Sequence, residues 1–277
     1  MSNILSIDVE EYFHANNLQK VAPVSSWDTL PSRVVDSTNK LLKLLSRKSV
    51  KATFFVLGYV AKKHPSLVKE IAQHGHEISS HGFMHQLVYD QSPEQFYNDI
   101  NDAKKLLEDL SGKEVLGYRA PSFSITEKSP WAYSQLCRAG YRYDSSRYPI
   151  WHPRYNNLGK SCDPEIITTE FGKITVYPLA TASIKLSNKE IRLPIAGGAY
   201  WRHLPLSYIK WGMSQNLKKE INVYYLHPWE IDSAQPRFKE LGKVTQLRHY
   251  GGSKNFLRKI EILIDKFTFT SFREVIS

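Results

Sequence analysis

The chain has 277 residues, 42% of them hydrophobic and 23% charged, with 14 glycines and 14 prolines. That length suits an α/β barrel built as one unit, and the composition excludes a disordered or fibrous chain. The net charge is +10, but the basic residues are scattered (Lys43, Arg47, Lys48, Lys51, Lys62, Lys63 and the tail) with no RNA-binding or helix-turn-helix signature. Nucleic acid is therefore set aside, and an anionic lipid surface or a phosphorylated sugar carrier suits the charge better.

The opening Met1-Ser-Asn-Ile-Leu-Ser-Ile-Asp8 lacks the basic start and apolar centre of a secretion signal, and no window reaches membrane-span length. If this chain is the whole gene product, the expected location is the cytoplasm, at the inner face of the membrane where lipid attracts it. Cys137 and Cys162, with no C-x-x-C, read as ordinary thiols.

Ile4–Ile7 is short, apolar and β-prone, and it delivers Asp8-Val-Glu10-Glu11 to the carboxyl end of a first strand. Strand alternation puts Asp8 and Glu10 on one face and turns Glu11 away. A helix follows over Ser32–Arg47, with Val34, Val35, Leu41, Leu42, Leu44 and Leu45 at helical spacing. Ala52–Leu57 reads as a second strand, Gly58 as a turn, Pro65–Gln73 as a helix and Glu77–Ser80 as a third strand.

The third strand leads into His81-Gly-Phe-Met-His85. Two imidazoles four residues apart face one point if they share a helical turn, and such a pair leaves room for a carboxylate and a water around a divalent metal. With ten histidines in the chain, chance is the competing explanation.

Ser92–Leu110 begins like a capped helix with Pro93 in its first turn, and Val115–Tyr118 is the next strand. It opens into Arg119-Ala-Pro121-Ser122-Phe123, where a guanidinium could hold a carboxylate ionised and aimed or serve as a structural salt bridge. Trp131–Ala139 is a helix closed by Gly140. The stretch from Asp144 through Tyr148-Pro-Ile-Trp-His-Pro153 is rich in aromatics and prolines. It begins an irregular insertion over about 144–202 that suits a binding groove.

Ile174–Leu179 and Ile191–Ile195 are strand-like. Gly197-Gly198 reads as a flexible turn beside Tyr200 and Trp201, where aromatic platforms for a sugar ring compete with simple packing. Ile221–Leu226 is the last clear strand, and it brings His227-Pro-Trp229-Glu to the same end, where His227 suits a general acid. Phe256–Phe267 is a closing amphipathic helix. Alternating strands and helices indicate a parallel α/β architecture in a single domain, 1–277.

The acidic first-strand motif, His81-x3-His85, Arg119-x-Pro121 and Leu226-His227, in this order, resemble the motifs of the polysaccharide deacetylase family with the NodB homology domain. The resemblance spans nearly the whole chain. Asp8-Val-Glu-Glu-Tyr-Phe, Arg119-Ala-Pro-Ser-Phe, Tyr143-Asp-Ser-Ser and His227-Pro-Trp-Glu-Ile-Asp are similar to the branch linked to bacterial exopolysaccharide and exosortase loci.

The resemblance implies a deformed (β/α)7 barrel that uses one divalent metal, usually zinc, to remove acetyl from an N-acetylated sugar of a surface polysaccharide or its precursor. It also implies Asp8 as general base with Arg119 as its tether, Glu10, His81 and His85 as metal ligands, and His227 as acid. An oxyanion donor would lie near Ser122. Substrate contacts would come from Pro121, Ser122, Phe123, Tyr148, Trp201 and Trp229.

Two positions depart from the family. The usual adjacent aspartates are replaced by Asp8-x-Glu10, which leaves Glu10 and Glu11 competing for the metal with alternation favouring Glu10. Gly82 stands where a serine or threonine commonly braces the histidine loop. A same-fold hydrolase of a non-sugar amide, as in allantoinase-like members, and an inactive carbohydrate-binding relative are the alternatives. The sequence leaves the oligomeric state open.

Overall fold

The computed structural model describes residues 2–152, 157, 159–187 and 189–276; Pro153 of the aromatic stretch lies outside them. Strand β1 (Ser2–Val9) precedes α1 (Val34–Arg47), β2 (Thr53–Val56), α2 (Gly58–Lys63), α3 (Pro65–Gln73), β3 (Glu77–Ser80) and α4 (Pro93–Ser111). Then come β4 (Gly117–Tyr118), α5 (Ala132–Arg138), β5 (Tyr143–Asp144), β6 (Glu165–Thr169), β7 (Gly172–Val176), β8 (Thr181–Leu186) and β9 (Lys189–Pro194). The chain ends with α6 (Gly198–His203), α7 (Leu206–Gln215), β10 (Ile221–Leu226), α8 (Lys243–Tyr250), α9 (Phe256–Lys266), β11 (Phe269–Thr270) and α10 (Arg273–Ile276).

Strands β10, β1, β2, β3, β4, β5 and β7 lie side by side in that order, each pair parallel. The two ends meet where Leu179, just past β7, bridges Val223 of β10 and the Ala180 N–H donates to Val223 O at 2.9 Å. Seven parallel strands thus close into a deformed (β/α)7 barrel at the Leu179–Val223 bridge.

Local signals explain the outer helices. Helix α1 buries Val34, Leu41, Leu42, Leu44 and Leu45, each contributing about 1.5–3 kcal/mol through removal from water. Helix α4 starts on a reciprocal cap: the Gln95 N–H donates to Ser92 Oγ, and the Ser92 N–H to Gln95 Oε1. It stops at Gly112, φ +64°, a conformation that costs glycine nothing.

The 144–202 stretch is more regular than expected. Among the described residues no helix crosses between β5 and β7; β6 instead pairs antiparallel with β7. Ile191–Ile195 falls mostly in β9, which forms a separate hairpin with β8. Gly58 and Gly198 each begin a short helix rather than a turn. Both cysteines are free thiols, and among the described residues no helix is long and apolar enough to cross a membrane.

Candidate active site

Parallel register carries the carboxyl ends of β1, β3, β4 and β10 to one end of the barrel, because Asp8 pairs with Phe55, Val56 with Ser80, Ser80 with Tyr118, and Ile7 with Leu226. Asp8, Glu10, His81, His85, Ser122, Phe123, His227 and Trp229 line one cavity of about 430 Å³ there. Alternation on β1 holds: Asp8 and Glu10 face the cavity, and Glu11 turns the other way. The Glu11 carboxylate accepts the Arg33 N–H at 3.0 Å and the Val34 N–H at 3.2 Å, so it occupies the amino end of α1, where the helix dipole favours an anion.

His81 and His85 do not share a helical turn. Gly82 has φ +74° and His85 φ +54°, so the histidines converge through a folded loop. Asp99 of α4 braces it by accepting the N–H of Phe83 at 2.8 Å and of Met84 at 3.2 Å. A Cβ on Gly82 would lie 2.8 Å from Asp99 Oδ2, so the glycine admits the carboxylate that replaces the expected hydroxyl brace.

His81 Nδ1–H donates to Arg119 O at 2.8 Å, which leaves Nε2 as a free lone pair. Burial pushes this imidazole down to about 4 despite Asp8, so it is neutral. Glu10 Oε2 is buried, 2.7 Å from His85 Nε2 and 3.8 Å from His81 Nε2, yet it has no aligned hydrogen bond among the described residues. One carboxylate oxygen and two imidazole nitrogens all within 4.8 Å of one another form a donor set suited to a divalent cation. Burial alone would raise the Glu10 carboxyl, but His85 and His227 beside it hold it well below the usual range.

Asp8 lies outside that donor set. Arg119, fully buried, donates from Nη1 to Asp8 Oδ1 at 2.7 Å and to Ser6 Oγ at 2.8 Å, and from Nε to Ser145 O at 3.0 Å. Asp8 Oδ2 lies 4.0 Å from His227 Nε2, which is also 3.6 Å from Glu10 Oε1. His227 Nδ1–H donates to Glu230 Oε2 at 3.1 Å, while Arg202 Nε donates to Glu230 Oε1 at 3.1 Å. Burial would lower the His227 imidazole, but the carboxylates of Glu10 and Glu230 push it up to about 9. Gly198 makes room for this arrangement, since a Cβ there would fall 1.7 Å from Glu230 Oε2.

Ser122 and Phe123 both lie in the left-handed region, at φ +51° and +56°, a costly pairing for residues other than glycine and one concentrated at functional sites. Asn16 Nδ2 donates to Ser122 Oγ at 2.6 Å. Pro121 is buried at the start of this turn and is not among the cavity-lining residues.

Two expected aromatic platforms are elsewhere. Tyr148 and Trp201 are 0% and 1% exposed, with the Tyr148 hydroxyl donating to Ala196 O and the Trp201 indole to Ile195 O. Both are core residues. Tyr200, Tyr225 and His152 join Phe123 and Trp229 on the cavity wall in their place. Asp99, Glu230 and Arg202 escape sequence reasoning; the only signal is an acid on the inner side of α4 and another inside His227-Pro-Trp-Glu230.

Residues 16–143 match the polysaccharide deacetylase family, and residues 145–277 match a domain of unknown function, DUF3473. Through the first of these segments the chain is similar to the polysaccharide deacetylase family. Two peptidoglycan-N-acetylglucosamine deacetylases of Bacillus cereus are 35% identical over 105 residues and 33% identical over 130 residues. These alignments cover 38% and 46% of this chain, and 47% and 46% of the relatives. The chain thus spans about half the length of the curated relatives it matches. A crystal structure assigned to the polysaccharide deacetylases, from Mycobacterium smegmatis, superposes with a TM-score of 0.57 at 20% identity, covering 97% of this chain and 92% of that one. That likeness shows the fold.

Proposed function

We propose that this chain is a hydrolase that removes N-acetyl groups from a sugar of a bacterial surface polysaccharide or its precursor, with a divalent cation, zinc by its donor chemistry, held by Glu10, His81 and His85. One observation carries the reading: an Arg119-tethered carboxylate and a Glu230-held imidazole face each other across a single cavity beside that donor set. The curated relatives, named for removing acetyl from peptidoglycan N-acetylglucosamine, support a sugar amide as substrate. The DUF3473 segment supports the exopolysaccharide branch.

When bound, the cation polarises the acetamide carbonyl and lowers the pKa of water. Asp8, fixed at Oδ1 by Arg119, keeps Oδ2 free to take the proton of the attacking water. The Ala120–Phe123 turn offers the Ser122 N–H to the developing oxyanion; the N–H groups of Phe123 and Ser124 are already used by Ala120 O and Pro121 O. His227, protonated and held at Nδ1, gives its Nε2 proton to the departing sugar nitrogen. Aromatic walls at Phe123, Tyr200, Tyr225 and Trp229 exclude water and flank the sugar.

A lipid-linked or membrane-adjacent substrate fits the surroundings. Exposed Trp151, 66% accessible, and Ile191 flank a neighbouring hollow that shares Tyr200 with the cavity, and the chain carries +10.

The test is acetate release from N-acetylated oligosaccharides by protein of measured metal content. Wild type should release acetate and Asp8→Asn should not, with metal retained in both. Acetate release unchanged in Asp8→Asn, or none from metal-loaded wild type, contradicts the reading.

A further inference from the structure

Nine of the ten net positive charges lie in residues 145–277, which hold 20 lysines and arginines against 11 aspartates and glutamates. Among the described residues, every large apolar side chain left exposed except Val24 falls in the same segment. Charge and exposed apolar surface thus coincide.

Two groups of these side chains border the catalytic cavity. On the β8–β9 hairpin Ile184 pairs with Ile191, and alternation puts Leu186 on their face; all three are exposed, Leu186 at 66%. Ile191 and exposed Trp151 line the hollow that shares Tyr200 with the cavity. On α8, Val244, Leu247 and Arg248 stand at i, i+3 and i+4, and so on one side of the helix. Val244 and Leu247 are 73% and 67% exposed, while Arg248 reaches the cavity wall. The helix buries His249 and Tyr250 instead.

Single exposed apolar residues mean little, but grouped around one opening they mark a contact surface. Isoleucine, leucine and valine offer a sugar ring neither hydrogen bonds nor an aromatic face. They suit acyl chains, and tryptophan suits the headgroup boundary. Lys185, Lys189 and Arg192 belong to the hairpin, whose one acid is Glu190, and Lys243 and Arg248 to α8, which has none. A second copy docked here would set like charges against each other, whereas an anionic lipid surface attracts each of them.

We infer that the cavity rim formed by Trp151, the β8–β9 hairpin and α8 docks on an anionic phospholipid surface, with the cavity mouth turned toward the headgroups. The docking face stands on exposure and charge; that the bilayer presents an acetylated sugar to the cavity rests on the proposed deacetylase activity.

The test is co-sedimentation of the full chain with vesicles of phosphatidylcholine alone and of equal parts phosphatidylcholine and phosphatidylglycerol. The protein should bind the mixed vesicles at low salt, bind the neutral ones far less, and be released at high salt. Lys185→Glu with Lys243→Glu should weaken binding by about thirtyfold or more, since each cation near the surface contributes roughly fivefold. Ile184→Ser with Leu247→Ser should weaken it by about tenfold through lost apolar burial. Both double variants should keep the wild-type circular dichroism and acetate release from soluble oligosaccharides. No binding to mixed vesicles, equal binding to both kinds, or binding that survives both double variants overturns the inference. A dimer abolished by Ile184→Ser with Leu247→Ser, without vesicle binding, would overturn it in favour of a second copy. Vesicle binding without acetate release would refute the deacetylase reading and keep the docking face; acetate release without vesicle binding would do the reverse.

Discussion

His227 Nδ1 donates to Glu230 at 3.1 Å, and the other oxygen of the same carboxylate holds Arg202. The imidazole is thereby fixed in orientation and kept protonated by a buried anion that is itself neutralised from behind. Glu230→Gln should lower turnover by about tenfold to a hundredfold, part of the 10²–10⁴ that positioned proton transfer supplies. The alkaline limb of the kcat profile should move to lower pH, because the charge that raises the His227 pKa is gone. A profile unmoved by the substitution would reduce Glu230 to a packing role.

His227→Ala should cut amide turnover heavily and leave the metal content intact. An activated acetyl ester, whose leaving group needs little protonation, should lose much less. Equal losses on ester and amide would assign His227 another task.

Glu10→Gln should abolish metal binding, since it removes the anionic member of the donor set. Glu11→Gln should leave metal stoichiometry unchanged and lower stability by about 1 kcal/mol through the weakened amino end of α1. Metal analysis combined with thermal unfolding separates the two positions, and metal loss in Glu11→Gln would contradict the strand register.

Asp99→Ala touches no metal ligand yet frees the backbone between the two histidines. Metal affinity, measured by competition with a chromophoric chelator, should weaken by about 10–100-fold, the usual cost of losing a group that orients ligands. The far-ultraviolet circular dichroism should be unchanged.

His76, distant from the cavity, gives a pH signature. Burial, and secondarily Lys51, push its pKa from 6.5 down to about 4, and its Nδ1 accepts the Ala52 N–H at 3.2 Å. A depressed pKa means that the contribution is fully present above pH 6.5 and is lost as pH falls toward 4. The loss is on the order of 3 kcal/mol at 1.36 kcal/mol per unit. Urea unfolding of wild type and His76→Gln at pH 7 and pH 4.5 should show a smaller drop in the variant.

What was legible in the sequence was what local geometry determines. The two-residue period of β1 assigns Asp8 and Glu10 to one face and Glu11 to the other, and the structure follows it. The convergence of His81 and His85 was also legible, but its cause was not: a helical turn was expected, whereas Gly82 at positive φ and the remote Asp99 shape the loop. Tyr148 and Trp201 look like sugar platforms because chain order places them in an aromatic stretch. Their burial depends on acceptors at Ala196 and Ile195 that only tertiary packing brings into reach. Arg202 reaches Glu230 across 28 residues, beyond any local pattern.

The two family matches meet at Asp144, yet the chemistry is divided across that boundary. The first segment holds the histidines and Arg119, whose guanidinium is steadied by Ser145 from the second. The second also supplies His227, its carboxylate partner and the Leu179–Val223 contact that closes the barrel. Neither half is a transplantable module. A chimera that exchanges residues 145–277 would exchange His227, the Tyr200–Trp229 side of the cavity and the barrel closure together, so none of the three can be swapped without the other two.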